Sequence, residues 1–240
     1  MDSKDYNVSG SLHASLAQAY DLANDAFTLG LHRVIKKILC TKAIKLTPQN
    51  SKLLDLATGT ADVILGIAPK RPDLKIVGLD ISAAMLDIAQ EKIKKKASLF
   101  QNNIELKKAT ALNIPFPDNT FHTITICWGI RSLKPYSAAL REIYRVLKPG
   151  GHVLIIENGK PEFKWVRKIY NSYTQMIPIL GQKIKSLSTL HLVYKTSIDH
   201  FPSGSQFVAE LFESGFIKAN FNNLGTNIVF LYSAQKPYLK

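Results

Sequence analysis

Apolar positions divide the chain into three stretches. Residues 11–46 place them at helical spacing: Leu16, Ala19, Tyr20, Ala23 and Phe27, then Leu31, Val34, Ile35, Ile38 and Leu39, with Gly30 between the halves. Thr47-Pro48-Gln49-Asn50 is a polar turn. From residue 52, short apolar runs alternate with helical ones. This predicts strands at 52–56, 75–79, 104–108, 122–127 and 152–157, and helices at 61–69, 83–96 and 136–147. Ser82 stands where the helix from Ala83 needs an N-cap. After 157 the alternation stops, and 160–200 reads as helical and irregular, with Pro178 and Gly181 as breakers. Beyond Phe201-Pro202-Ser203-Gly204, a helix at 204–214 leads to strands at 216–222 and 227–235.

Alternating strands and helices imply right-handed crossovers and a mostly parallel sheet covered on both faces. The late pair of strands suits an antiparallel edge. The expected organisation is an N-terminal helical cap at 1–50, an α/β core at 51–158, a helical insertion over the cleft at 159–203, and a C-terminal helix with edge strands at 204–240 completing the same domain. In such sheets ligands lie at the carboxyl ends of the strands, near the switch in strand order.

The stretch at that position is LLDLATGTAD, 53–62, followed by IVGLDIS, 76–82. It reads as a buried strand, a Gly-containing turn, a helix, and a second strand ending on an acid. That acid, Asp80, is placed to take the two hydroxyls of a ribose. Ala57 and Ala61 stand where a G-x-G-x-x-G dinucleotide fingerprint has Gly. A turn that relaxes the demand for close approach to a pyrophosphate points to a nucleoside ligand without phosphates. S-adenosylmethionine is the commonest such cofactor. Asp55 ends the first strand; it either caps the turn or orients it and helps hold the cofactor's amino group. Gly59 supplies a backbone conformation closed to other residues. Met85 either covers one face of the adenine or packs in the core.

Charge adds an affinity for anions: 31 basic against 18 acidic residues give +13 over 240 residues. Nucleic acid, anionic lipid and an acidic substrate all fit. Lys94-Lys95-Lys96 suits a solvated helix end. The segment FKWVRKIYNSYTQMIPILGQKIK, 163–185, mixes aromatic, aliphatic and basic residues, as either a surface resting on anionic membrane or a cap helix would. No apolar run is long enough to span a bilayer, and the N-terminus carries no signal pattern, so a cytoplasmic protein is expected, with peripheral contact at the inner membrane allowed. Cys40 and Cys127 belong to no C-x-x-C pair, so neither a metal site nor a disulfide framework is expected.

Six segments together carry a resemblance: YDLANDAFTLGLHR (20–33), LLDLATGTAD (53–62), LDIS (79–82), IPFPDNTFHTITICWGIRSL (114–133), LREIYRVLKPGGHVLIIENGKP (140–161) and FPSGSQFVAELFESGF (201–216). The chain resembles the ubiquinone/menaquinone biosynthesis C-methyltransferases, demethylmenaquinone methyltransferase included, from about Tyr20 to its C-terminus. The Tyr-Asp-x-x-Asn-Asp…His-Arg opening and the Gly-x-Arg after the fourth strand are the more specific signals; LKPGG recurs across many class I methyltransferases. The resemblance implies the class I, Rossmann-like fold with a seven-stranded mostly parallel sheet. It implies S-adenosylmethionine-dependent methylation of a ring carbon of a prenylated quinol, demethylmenaquinol first and a ubiquinone-precursor benzoquinol second. It places Thr60, Asp80, Thr110, Ala111 and Cys127 on cofactor-binding positions. Departures are Cys127 for the frequent Ser, Ala61 for Gly, Ser132 for Asn after the family's Arg, and a looser tail.

Methyl transfer from a sulfonium needs no metal, but a ring carbon is a poor nucleophile until a neighbouring hydroxyl loses its proton. Arg131, just past the fourth strand, is the first candidate to stabilise the resulting oxyanion, since a guanidinium stays protonated; a structural salt bridge at a strand end is the alternative. Tyr20 and Asn24 share a helix face and could close over substrate. His32 is a candidate base or relay; Asp21 and Asp25 read as solvated or capping. No general base is assigned. A nucleic-acid methyltransferase would account for the charge, but CWGIR follows the fourth strand where amino methylation of bases needs Asn/Asp-Pro-Pro-aromatic, so no nucleic-acid partner is expected. A non-catalytic module is suggested by Ala61 and Ser132, and a dehydrogenase lacks its fingerprint. A homo-oligomer is compatible with the sequence.

Overall fold

The computed structural model describes residues 31–160, 200–224 and 228–238. Seven strands form one sheet: β1 Lys52–Leu56, β2 Lys75–Asp80, β3 Ile104–Lys108, β4 Phe121–Cys127, β5 Leu147–Asn158, β6 Ile217–Asn223 and β7 Val229–Gln235. Its order is β3-β2-β1-β4-β5-β7-β6. β1 to β5 pair in parallel; β7 alone runs against both its neighbours. The reason is connection length. A long crossover through a helix returns the chain parallel, whereas the short turn after β6 can only double back.

Five α-helices are described: α1 Leu31–Leu46, α2 Asp62–Ile67, α3 Ala83–Lys96, α4 Tyr136–Val146 and α5 Ser205–Glu213. Strand periodicity sends alternate side chains to opposite faces. Leu53, Ile76, Leu154 and Ile156 form one core with Ile35 and Leu39 of α1, Ile64 of α2 and Ala89 of α3. Leu54, Leu79, Ile124 and Ile155 form the other with Leu140 and Ile143 of α4 and Phe207 and Leu211 of α5. Strands covered on both sides explain why β1 is an almost continuous apolar run.

Of the element bounds that differ between sequence and structure, two have a clear local cause. The helix expected at 61–69 is α-helical only to Ile67 and ends as a 3₁₀ turn, Ala68–Lys70. Pro69 in an α-helix would clash with the carbonyl four residues back. β5 begins five residues before the expected 152, because Leu147 already pairs with Phe121 and the register then shifts through Lys148-Pro149-Gly150-Gly151. Gly150 carries φ 76° there, a conformation glycine takes without strain.

Side chains fix the elements that frame the cleft. Lys236 is buried at the far end of α4, and its ammonium donates to the carbonyls of Tyr144 and Leu147, both at 2.8 Å, and to Asn119 Oδ1 at 2.9 Å. Those carbonyls lie where α4 leaves its own without internal donors. The Arg145 guanidinium binds both oxygens of Glu142 and donates to the carbonyls of Ile114 and Phe116. Glu142 also accepts from the Ile114 backbone N–H. This pair anchors the loop from β3 to β4, which carries Thr110 and Ala111.

Candidate active site

The sheet reverses its order between β1 and β4, and their carboxyl ends converge. The turn after β1 is pinned by two acids. Asp55 is 1% exposed; one oxygen accepts from Thr58 Oγ1 and the other from Thr125 Oγ1, both at 2.7 Å. Burial raises its pKa to about 6, against the two hydroxyls that favour its ionised form. It offers no surface for direct contact with a ligand, so its action on one runs through the turn. Asp80, at the tip of β2, is half-buried. Its two oxygens accept from the backbone N–H of Gly59 at 2.8 Å and of Ser82 at 2.9 Å. A carboxylate has about four acceptor sites, so it can still receive two ribose hydroxyls.

Gly59 has φ 54°, and a Cβ built on it would meet no atom within 4 Å. Its face therefore opens onto free space, as a turn that cradles a ligand requires. Gly129 shows the opposite: a Cβ there would come within 2.6 Å of the Ala57 methyl. Glycine lets the loops after β1 and β4 touch. Ala57, Ala61 and Trp128 all take left-handed φ, 56°, 65° and 56°. For an L-residue this conformation costs about 1–2 kcal/mol, and such strain persists where surrounding contacts impose it.

Thr60 is buried, and its hydroxyl accepts from Lys92 Nζ at 2.8 Å. The same ammonium lies 2.9 Å from Asp62, which also pairs with Lys36 of α1. Burial works against the Asp62 carboxylate, but the two cations outweigh it and hold its pKa below the ordinary range. Met85 is 3% exposed and belongs to neither core cluster; its N–H meets the Ser82 cap at 3.4 Å. Thr110 Oγ1 accepts from Leu112 N–H at 3.2 Å, and Ala111 is buried against the α4 side of the sheet. The Cys127 thiol is pushed well up by burial, so it stays protonated.

Arg131 lies on a 3₁₀ turn, Ile130–Ser132, and is 8% exposed. Its Nε donates to Glu157 Oε1 at 2.6 Å. Glu157, wholly buried near the end of β5, also accepts from the backbone N–H of Asn158 at 2.7 Å. The salt bridge raised as an alternative for Arg131 is thus present, and it fixes the guanidinium at the carboxyl end of the sheet. His32 is buried on the inward face of α1 with Ile35 and Leu39. Tyr20, Asn24 and the 163–185 segment lie outside the described residues.

Asp55 of β1 and Asp80 of β2 thus both hold the turn that carries Gly59, and Arg131 lies on the turn that follows the neighbouring strand β4. Three features escaped the sequence reading. Glu157 ends an apolar strand and had a signal in that abrupt acid. The Lys36–Asp62–Lys92 cluster draws on three helices, and no local pattern announces it. Trp128, whose Nε1 donates to Asn158 Oδ1 at 3.0 Å, looks from sequence like any strand-end aromatic.

The model of the ubiE/COQ5 methyltransferase family matches residues 1–236. The chain belongs to the ubiE/COQ5 methyltransferase family. Curated relatives include the ubiquinone/menaquinone biosynthesis C-methyltransferase UbiE of Geotalea daltonii, 35% identical over 92% of this chain and 93% of that protein. Another is UbiE of Rickettsia bellii, 37% identical over 94% and 91%. Among solved structures, an S-adenosylmethionine-dependent methyltransferase from Aquifex aeolicus superposes with TM-score 0.58 at 21% identity, covering 81% of this chain and 86% of that one. Haemonchus contortus phosphoethanolamine N-methyltransferase 2, in complex with S-adenosyl-L-methionine, gives TM-score 0.62 at 18% identity over 84% and 52%. These structures bear on the fold, which is the class I Rossmann-like fold; the family bears on the chemistry. As a ubiE/COQ5 family member the chain is an S-adenosylmethionine-dependent C-methyltransferase. The open face of Gly59 and the acceptor capacity of Asp80 fit that cofactor. Among the described residues, no group of three or more His, Cys, Asp and Glu could hold a metal ion, and no helix is long and apolar enough to cross a membrane.

Proposed function

We propose that this protein methylates a ring carbon of a prenylated quinol in quinone biosynthesis, with demethylmenaquinol as first substrate and a ubiquinone-precursor benzoquinol as second. The observation that carries this is the whole-chain match to the ubiE/COQ5 family, whose curated relatives are named for both quinones. The Asp80–Gly59 turn facing an Arg131 held by Glu157 supports it.

When bound, S-adenosylmethionine supplies a methyl group on a sulfonium. Asp80 would receive the ribose hydroxyls, and the bare face of Gly59 would let the ligand approach the turn. Thr60, Met85, Thr110, Ala111 and Cys127 would line the rest. Asp55 holds the turn from below, through its hydroxyl bonds to Thr58 and Thr125. Alignment of donor and acceptor carbon within roughly 3–3.5 Å contributes up to about 7–11 kcal/mol in favourable systems. Arg131 would steady negative charge on the ring oxygen as its proton passes to water. A guanidinium cannot accept that proton, so its role is electrostatic. Glu157 sets its position. Tyr20 and His32 stay candidates only, the first for closure over the ring and the second for a base or relay.

The test is turnover. Purified protein with a reduced short-chain demethylmenaquinol should yield the methylated ring, detected by mass spectrometry. In cells lacking the protein, a quinone one methyl lighter should accumulate, and its ring identifies the natural substrate. Bound cofactor with no transfer to either quinol would remove the proposal.

A further inference from the structure

Tyr136 is the first residue of α4, directly after the loop that carries Arg131. Its hydroxyl is shut off from solvent and has no hydrogen-bond partner. Buried donors are nearly always paired, and an unpaired one needs an explanation. The ring is held firmly: it meets Phe201 edge-on, with centroids 5.5 Å apart and planes at 87°. Phe201 is 2% exposed and belongs to the α4-side core, so the ring has a rigid backing.

Tyr136 enters α4 from the loop that leaves the carboxyl end of β4. Tyr136 lies in the fields of Glu157, Arg131 and Glu210. Glu157 and Arg131 sit at the carboxyl end of the sheet, on the same side as Asp80 and Gly59. Burial first, and the Glu157 charge second, push the phenol up to about 12. It therefore keeps its proton across the working range, and so acts as a donor and not as a base. A neutral, buried O–H without an acceptor, on the residue that opens α4 five positions after the Arg131 assigned to an oxyanion, lacks only the oxyanion itself.

We propose that the Tyr136 hydroxyl donates a hydrogen bond to the ring oxygen of the quinol, next to Arg131, and strengthens that bond as negative charge develops. This rests on the functional reading above. The tyrosine keeps its proton throughout, and the quinol hydroxyl proton passes to water. The C–methyl bond would form on the ring carbon beside that oxygen as the S–methyl bond of the sulfonium breaks to leave a thioether. The proton of that ring carbon is then lost to water.

The experiment compares wild type with Tyr136→Phe on a reduced short-chain demethylmenaquinol in detergent. The variant should lose roughly 10–100-fold in kcat/KM, mostly in kcat, since one hydrogen bond to a charged group is removed. Its cofactor dissociation constant, by calorimetry, should match wild type, and its pH–rate profile should keep its shape. Thermal unfolding without ligands should occur no lower than in wild type, because the substitution removes an unpaired donor. Equal kcat and KM in variant and wild type would overturn the proposal; so would a pH profile that lost a limb, which would make the tyrosine a base. If the variant fails to fold, 3-fluorotyrosine placed at 136 in the wild-type chain supplies a second readout. Its fluorine resonance should shift on adding the quinol with S-adenosylhomocysteine present, and an unmoved resonance would overturn the proposal. Wild-type protein that methylates neither quinol would defeat the functional reading instead.

Discussion

Asp55 and Gly59 show two ways in which single residues shape the cleft. Asp55 is charged, buried and held by two hydroxyls. Its folded pKa, about 6, lies above the ordinary 3.8. A raised folded pKa means stability that is complete below the unfolded value and lost as pH rises through the folded one. Stability of the wild type relative to Asp55→Asn should therefore fall between about pH 4 and pH 7. Two units correspond to a change on the order of 3 kcal/mol, measurable by urea unfolding at several pH values. A flat difference would mean that Asp55 is not penalised by burial. Gly59→Ala separates binding from folding. The left-handed backbone should cost about 1–2 kcal/mol of stability. The new methyl points into open space, where the cofactor is proposed to lie, so affinity by calorimetry should drop about 10-fold or more, a loss of about 1.4 kcal/mol or more. Unchanged affinity would place the cofactor elsewhere.

At the scale of elements, most boundaries follow from local chemistry, and most anchoring does not. Ser82 caps α3, and Pro69 stops α2. By contrast, α4 is finished by Lys236, 90 residues beyond the helix's last residue Val146. Lys236→Met should leave the carbonyls of Tyr144 and Leu147 without their donor. The expected loss is roughly 2–4 kcal/mol of unfolding free energy, by analogy with other buried polar groups deprived of a partner. A loss under about 0.5 kcal/mol, as for ordinary surface changes, would show that water replaces the ammonium at no cost. The tail, whose sequence departs from the usual family pattern, thus carries a fixed structural contact.

For the whole molecule, the cleft exists only where β1, β2, β4 and β5 end together, so ligand and fold should be coupled. Cofactor at 100 times its dissociation constant should stabilise the chain by about 2.7 kcal/mol. In a domain of this size that is a rise of roughly 5–10 °C in unfolding midpoint. Asp80→Ala should abolish most of this rise, read by differential scanning calorimetry with and without ligand. An undiminished rise would detach the Asp80 carboxylate from cofactor binding.

Hydrophobic alternation by itself determined the succession and nature of the strands and helices, and hence a mostly parallel sheet covered on both faces, with its candidate site at the strand ends. Burial of apolar runs is a local demand, and it is written into neighbouring residues. The Gly-containing turn and Asp80 were legible for the same reason: a tight turn and a strand-end acid are chain-local features. Only the tertiary structure decided which charges meet. Glu157 is 26 residues from Arg131, Lys92 is 30 from Asp62, and the Tyr136 hydroxyl is unpaired because of what packs around it. Pairing of buried polar groups depends on distances between separate elements, and sequence spacing carries no measure of those distances.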